Sequence, residues 1–187
     1  METVGLVDSR QSPNVRQGLI NLGWEEIALK AGDYQWRCEG YVFGMESKTT
    51  TDLVASFIKR APSGMSVLKD ELVRLKDAVD VPILLLLDGL PNVTWDGFIA
   101  LPTKIVNVRW VALANFLSVT YRSGIAPRFG TSMREIQDVE ETRKHYCKVG
   151  HTALNELVDI KRVQETKSLG LVGVKGINKK TSHLVHT

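Results

Sequence analysis

Short apolar runs bounded by turn-forming residues alternate along this chain with segments whose apolar positions recur every three or four residues. The two periods predict strands and helices respectively. Val4 to Val7 is a β-type run ending at Asp8, and the DSRQSPN that follows is turn chemistry with Pro13 placed to open a helix over 14–22. In that helix Val15, Leu19 and Leu22 share a face, and Gly23 is its stop signal. Strand patterning resumes over 24–29. Two further β segments, 34–38 and 41–46, flank Glu39-Gly40, which reads as a hairpin turn. That pairing sets Asp33 at the start of one strand and Glu46 at the end of its neighbour.

Thr51-Asp52 is expected to cap a helix with Leu53, Phe57 and Ile58 on one stripe, closed by the loop 61–64. A second amphipathic helix covers 66–78, with Leu68, Leu72 and Leu75 facing inward. The run 82–88 is apolar without alternation, as expected of a central strand covered on both faces by helices. Residues 110–121 repeat apolar positions at Trp110, Leu113, Ala114, Leu117 and Tyr121, a helical spacing. At Ser132 the composition turns polar, and Ser132 with Glu135 forms a capping box ahead of a charged helix carrying Ile136 and Val139. These elements predict an α/β domain over 1–130, with a mixed sheet flanked by helices, followed by a small helical extension over 131–187.

Bulk properties narrow this little. With 187 residues, 43% hydrophobic, the chain can bury one sizeable core, and a net charge of +3 is compatible with nucleic acid without indicating it. Cys38 and Cys147 stand far apart with no CxxC spacing, which argues against a zinc site or a disulfide framework. The first residues lack the basic start and long apolar stretch of a signal peptide, and the longest apolar run, 81–87, is far short of the roughly 20 residues that span a bilayer. An intracellular, non-secreted protein without membrane contact is expected.

The chemistry concentrates in residues 8–52, where Asp8, Asp33, Glu46, Lys48 and Asp52 occur. In a strand, Glu46 and Lys48 point to the same face, while Ser47 between them turns its side chain away and offers its main-chain carbonyl. Carboxylates plus a carbonyl suit a hard divalent ion, Mg²⁺ or Mn²⁺, and a metal with a nearby ammonium suits phosphodiester hydrolysis.

The order VDSR, AGDYQW, MESKTTTDL resembles the nuclease domain of XPF-type structure-specific endonucleases, a branch of the PD-(D/E)xK superfamily. Gly32-Asp33 matches the family's GD, Glu46-Ser47-Lys48 its ERK, Asp52 the acid beyond it, and Asp8-Ser9-Arg10 the VDxRE strand end. The resemblance implies a restriction-endonuclease-like fold, with Asp33, Glu46 and the Ser47 carbonyl as metal ligands. It further implies that Lys48 assists the water and that Asp8 and Asp52 complete the acidic cluster. It implies branched or flapped DNA as substrate and a homo- or heterodimer as the working unit. Two positions depart from the pattern, Gln11 for Glu and Ser47 for Arg, and Lys59-Arg60 and Lys69-Asp70-Glu71 stand where the family's helical Arg and Gln are sought. A catalytically weak or inactive DNA-binding scaffold therefore stays open, as does a Holliday-junction-resolvase-like enzyme.

Residues 171–185 resemble the second half of a helix-hairpin-helix motif, with Gly176-Ile177 and Ser182 at the motif's spacing. Such a turn offers backbone N–H groups to a DNA phosphate, and Lys175, Gly176, Lys179 and Lys180 are its expected DNA contacts. Arg10, Lys59 and Arg60 are further candidates for phosphate contact. His145, His151, His183 and His186 read as surface residues. Among the tryptophans, Trp24, Trp36, Trp95 and Trp110, core filling is the expectation, above all for Trp110.

Overall fold

A computed structural model describes residues 4–130 and 134–148 of the chain. The elements in order are β1 (Leu6–Asp8), α1 (Pro13–Ile20), β2 (Glu25–Ile27), β3 (Tyr34–Cys38), β4 (Tyr41–Lys48), α2 (Thr50–Ile58) and α3 (Val67–Ala78). They continue with β5 (Val81–Leu86), β6 (Asn92–Val93), β7 (Phe98–Leu101), β8 (Lys104–Arg109), α4 (Trp110–Arg122), β9 (Ala126–Phe129) and α5 (Glu135–Lys148). Six strands form one sheet in the order β2-β1-β3-β4-β5-β9. β3 runs antiparallel to both its neighbours, and the other pairs are parallel, so the sheet is mixed.

Strand β5 shows why the sheet needs helices on both sides. Its residues alternate between two apolar layers: Val81, Ile83 and Leu85 join Trp24, Trp36 and Phe43 on one face, while Leu84 and Leu86 join Leu53, Leu68, Leu72 and Leu113 on the other. Every residue of β5 is buried, and a fully buried leucine or isoleucine contributes roughly 1.5–3 kcal/mol. The face toward α3 admits that helix closely because Gly44 has no Cβ, which would stand 2.7 Å from Val79 Cγ1. The opposite face is closed by α1 and α5. There Val139 and Tyr146 enter the core, and Trp24 Nε1 donates to Glu140 Oε2 at 3.1 Å.

The expected central sheet and its flanking helices are present, and several details differ. Thr49, not Thr51-Asp52, caps α2, its hydroxyl accepting from the Asp52 N–H. Leu22, Ile58 and Tyr121, placed on inward stripes by their spacing, are 54%, 46% and 49% exposed, because each sits at or beyond the end of its helix. Trp110 only borders the second apolar layer, and Trp95 is 99% exposed at the β6–β7 turn rather than core. Strand β9 and the three-stranded sheet β6-β7-β8 lie in stretches that carried no strand assignment. The composition break near Gly130 does not end the packed unit, since α5 beyond it contributes two core side chains.

Cys38 at the end of β3 and Cys147 in the last turn of α5, remote in sequence, come together as free thiols, and burial with the neighbouring Cys38 pushes the Cys147 thiol up to about 12. Ser132 of the expected capping box, His151, His183, His186 and the hairpin residues Lys175, Gly176, Lys179 and Lys180 lie outside the described residues. Among the described residues no helix is long and apolar enough to cross a membrane.

Candidate active site

Antiparallel pairing of β3 with β4 sets Tyr34 opposite Met45, so the residues just past that pair, Asp33 and Glu46, meet at one sheet edge. The edge is fixed by backbone bonds: Asp33 N donates to Met45 O, and Asp8 N to Asp33 O, both at 2.8 Å. Gly32 makes the entry to β3 feasible. It has a φ of +75°, and a Cβ there would stand 3.1 Å from Met45 O. A side chain would be strained in that conformation.

Strand β4 runs through Lys48, longer than its apolar pattern required, and its alternation separates two sets of groups. Glu46 and Lys48 face α3. Glu46 is 7% exposed, and Lys48 Nζ lies 2.7 Å from Glu46 Oε1 and 3.0 Å from Glu71 Oε2. Ser47 turns to the opposite face, where its side chain is far from idle. Its N–H donates to Asp33 Oδ2 at 2.8 Å, and its Oγ lies 3.1 Å from that oxygen and 2.7 Å from Glu135 Oε1.

Asp33, Glu46 and Glu71 line a polar cavity of about 120 Å³ together with Arg10, Arg74, Ala31 and Gly32. Burial pushes the Glu46 carboxyl up to about 7, aided by the Asp33 charge and opposed by Lys48. Burial likewise raises Asp33, against the Ser47 N–H and the Lys48 charge. For Lys48, burial favours the neutral amine, but the Glu46 and Glu71 carboxylates outweigh it and hold the ammonium charged. Burial thus opposes the charge on both Asp33 and Glu46, and a cation placed between these two carboxylates would favour their ionised forms.

Asp8 lies next to this cavity but its oxygens are occupied. Oδ1 accepts from Arg10 N and Nε, both at 2.7 Å, and Oδ2 from Arg10 Nη2 at 2.8 Å and Leu29 N at 2.9 Å. The Arg10 hydrogen bonds hold the Asp8 carboxyl below the usual carboxylate range in spite of its burial. Asp8 therefore braces the end of β1 and holds Arg10 at the cavity rim. Asp52 is exposed and is used locally, its Oδ2 accepting from Thr49 Oγ1 at 2.7 Å. Lys59 and Arg60 are exposed at the far end of α2, about 14 Å of helix from Lys48.

Sequence reasoning missed Glu71, Arg74, Tyr34 and Glu135. A signal existed for Glu71: it stands three residues after Leu68 and four before Leu75, a carboxylate on an apolar stripe. For Glu135 the capping-box pattern pointed elsewhere. Its Oε1 instead accepts from Tyr34 Oη and Ser47 Oγ, both at 2.7 Å.

The Asp33 and Glu46 carboxylates are the oxygen donors here that could hold a hard divalent ion. Among the described residues no cluster of three or more His, Cys, Asp or Glu groups forms a ready cage, so such an ion would take the Asp33 and Glu46 carboxylates and keep several waters, as Mg²⁺ commonly does. A water needs roughly 10–15 Å³ of accessible space, and the cavity exceeds that several-fold.

Comparison with solved structures finds this fold in XPF from Aeropyrum pernix. One such structure aligns over 96% of this chain and 77% of that chain, with a TM-score of 0.51 and 19% identity. Another, XPF from Aeropyrum pernix in complex with DNA, aligns over 97% and 95%, with a TM-score of 0.54 and 16% identity. At these identities the likeness is one of fold: a mixed sheet flanked by helices, as in the XPF nuclease domain. No protein-family model and no curated protein matches the chain.

Proposed function

We propose that this chain is a divalent-metal-dependent DNA endonuclease acting on branched or flapped DNA. The observation that carries the reading is the meeting of Asp33 and Glu46 on a polar cavity that Arg10 and Arg74 also line, with the Lys48 ammonium 2.7 Å from Glu46 Oε1. The fold it shares with XPF structures, one of them in complex with DNA, supports DNA as the substrate. A homo- or heterodimer is part of the same proposal.

In this reading Asp33 and Glu46 hold Mg²⁺ or Mn²⁺, with the Ser47 carbonyl as a third donor. When bound, the metal polarises the phosphate and lowers the pKa of a bound water. The chain's own groups do the rest. Lys48, ion-paired with Glu46 and Glu71, places an ammonium where it orients the attacking water or stabilises a developing oxyanion. Arg10 and Arg74 place guanidinium groups where the flanking phosphates enter. Lys59 and Arg60, at the far end of α2, extend the basic surface away from the chemistry, and Lys175, Lys179 and Lys180 are proposed as further phosphate contacts.

The test is incubation of the protein with end-labelled flap, fork, four-way-junction and plain duplex DNA in Mg²⁺ or Mn²⁺. Flap or fork cleavage that Asp33→Ala and Glu46→Ala each abolish, with DNA binding largely kept, is the expected result, because phosphate contacts are spread over other residues. Paired nicks confined to four-way junctions would mark a resolvase instead. One observation favours a second reading, the inactive scaffold: the Lys48 ammonium is already paired on both sides, by Glu46 and Glu71. Binding to the same DNAs without cleavage in either metal would establish that reading.

A further inference from the structure

We propose that Glu135, in the first turn of α5, is a positioning residue that sets the orientation of Asp33 through the Ser47 hydroxyl. The inference deepens the endonuclease reading and rests on it for the role of Asp33. Four hydrogen-bond contacts, one of them from a buried ring, carry it. Ser47 Oγ lies 2.7 Å from Glu135 Oε1 and 3.1 Å from Asp33 Oδ2, while the Ser47 N–H reaches the same Asp33 oxygen at 2.8 Å. Tyr34, fully buried and adjacent in sequence to Asp33, donates its hydroxyl to Glu135 Oε1 at 2.7 Å.

A serine side chain has three staggered χ1 wells, and its position beside Asp33 is defined only while something selects one of them. The hydroxyl has a single proton. At 2.7 Å its contact with Glu135 is of ordinary O–H···O length, whereas 3.1 Å to Asp33 is longer. The Glu135 carboxylate, at the shorter distance, selects the rotamer, and in that rotamer the hydroxyl stands within donor range of both Glu135 Oε1 and Asp33 Oδ2. Glu135 is anchored in turn by Tyr34, so a single carboxylate on α5 ties β3 and β4 together at the residues that flank Asp33 and Glu46. Asp33 Oδ2 is framed by the Ser47 N–H and Oγ, the Gln11 side chain also hydrogen-bonds the carboxylate, and Asp33 so held lines the cavity. The arrangement is the support that a ligand carboxylate needs from groups behind it if it is to be held in place before a ligand arrives.

The experiment is ¹³C NMR of protein labelled at Asp Cγ, run without metal, with the Asp33 resonance assigned by its loss in Asp33→Asn. Glu135→Ala and Ser47→Ala should each move the Asp33 resonance in the same direction, with no further movement in the double variant. Glu135→Gln, which keeps an acceptor at Oε1, should leave it near the wild-type position. Glu135→Met, close in volume and lacking an acceptor, stands in if the alanine variant does not fold. Mn²⁺ affinity by calorimetry should fall roughly 10–100-fold in the alanine variants and be spared in Glu135→Gln. An Asp33 resonance unmoved in a folded Glu135→Ala or Glu135→Met variant overturns the proposal. Absence of Mn²⁺ binding by the wild type would instead sink the metal-dependent reading, and the metal-free resonance would still decide the role of Glu135.

Discussion

Replacing Glu46 with glutamine should make the protein more stable at neutral pH while removing its activity. In the folded chain the Glu46 carboxyl is raised from its ordinary 4.5 to about 7, chiefly by burial and then by the Asp33 charge. The folded state therefore binds this proton more tightly than the unfolded state does, and stability falls as pH rises from about 4.5 through 7. The displacement corresponds to on the order of 3 kcal/mol lost across that window. Asp33 is raised as well and adds a loss of the same sign. Glutamine cannot ionise, and its Oε1 can still accept from Lys48, which keeps Glu71 as partner. Below pH 4.5 the two proteins should have similar stability, and by pH 8 the variant should lead by about 3 kcal/mol. Urea denaturation of both at half-unit steps from pH 4.5 to 8 reads this directly. Adding Mg²⁺ at pH 8 should stabilise the wild type and leave the variant unchanged, because a ligand of the folded state shifts stability by mass action. A stability difference that stays flat across the range, or one that grows in favour of the wild type, would refute the reasoning.

Two further outcomes follow from packing. Gly5→Ala would bring a Cβ to 2.4 Å from the Trp24 ring, which is buried and anchored to Glu140, so a loss of about 1–3 kcal/mol in urea unfolding is expected, and an unchanged midpoint would refute it. A chain ended at Gly130 loses Val139 and Tyr146 from the core and leaves Trp24 Nε1 without its acceptor, so it should lack a cooperative thermal transition; a sharp one would show that α5 is dispensable.

Much of the fold was legible because its signals are local. The unbroken apolar run at 82–86 announced a strand covered on both faces, and the Leu68-Leu72-Leu75 spacing announced α3. Helix ends were less legible, since Thr49, Thr50 and Thr51 are equally able to cap and only the exit of β4 from the sheet selects Thr49. The short strands β6 and β8 escaped because their residues are largely exposed, and β7 because it is only four residues long. Helix α5 looked like an appendage because its polar surface outweighs the few residues it buries.

For the candidate site, the linear order of Asp33, Glu46 and Lys48 with one hairpin between them was enough to place these three at a common edge, since a strand's two-residue period decides facing and a short turn decides pairing. What no local pattern contains is the set of groups brought by other elements: Glu71 against Lys48 and Glu135 behind Ser47. Those contacts join residues up to 88 apart in sequence. They arise only when α3 and α5 close on opposite faces of the sheet, because burying the apolar stripes of those helices fixes where their polar neighbours must lie.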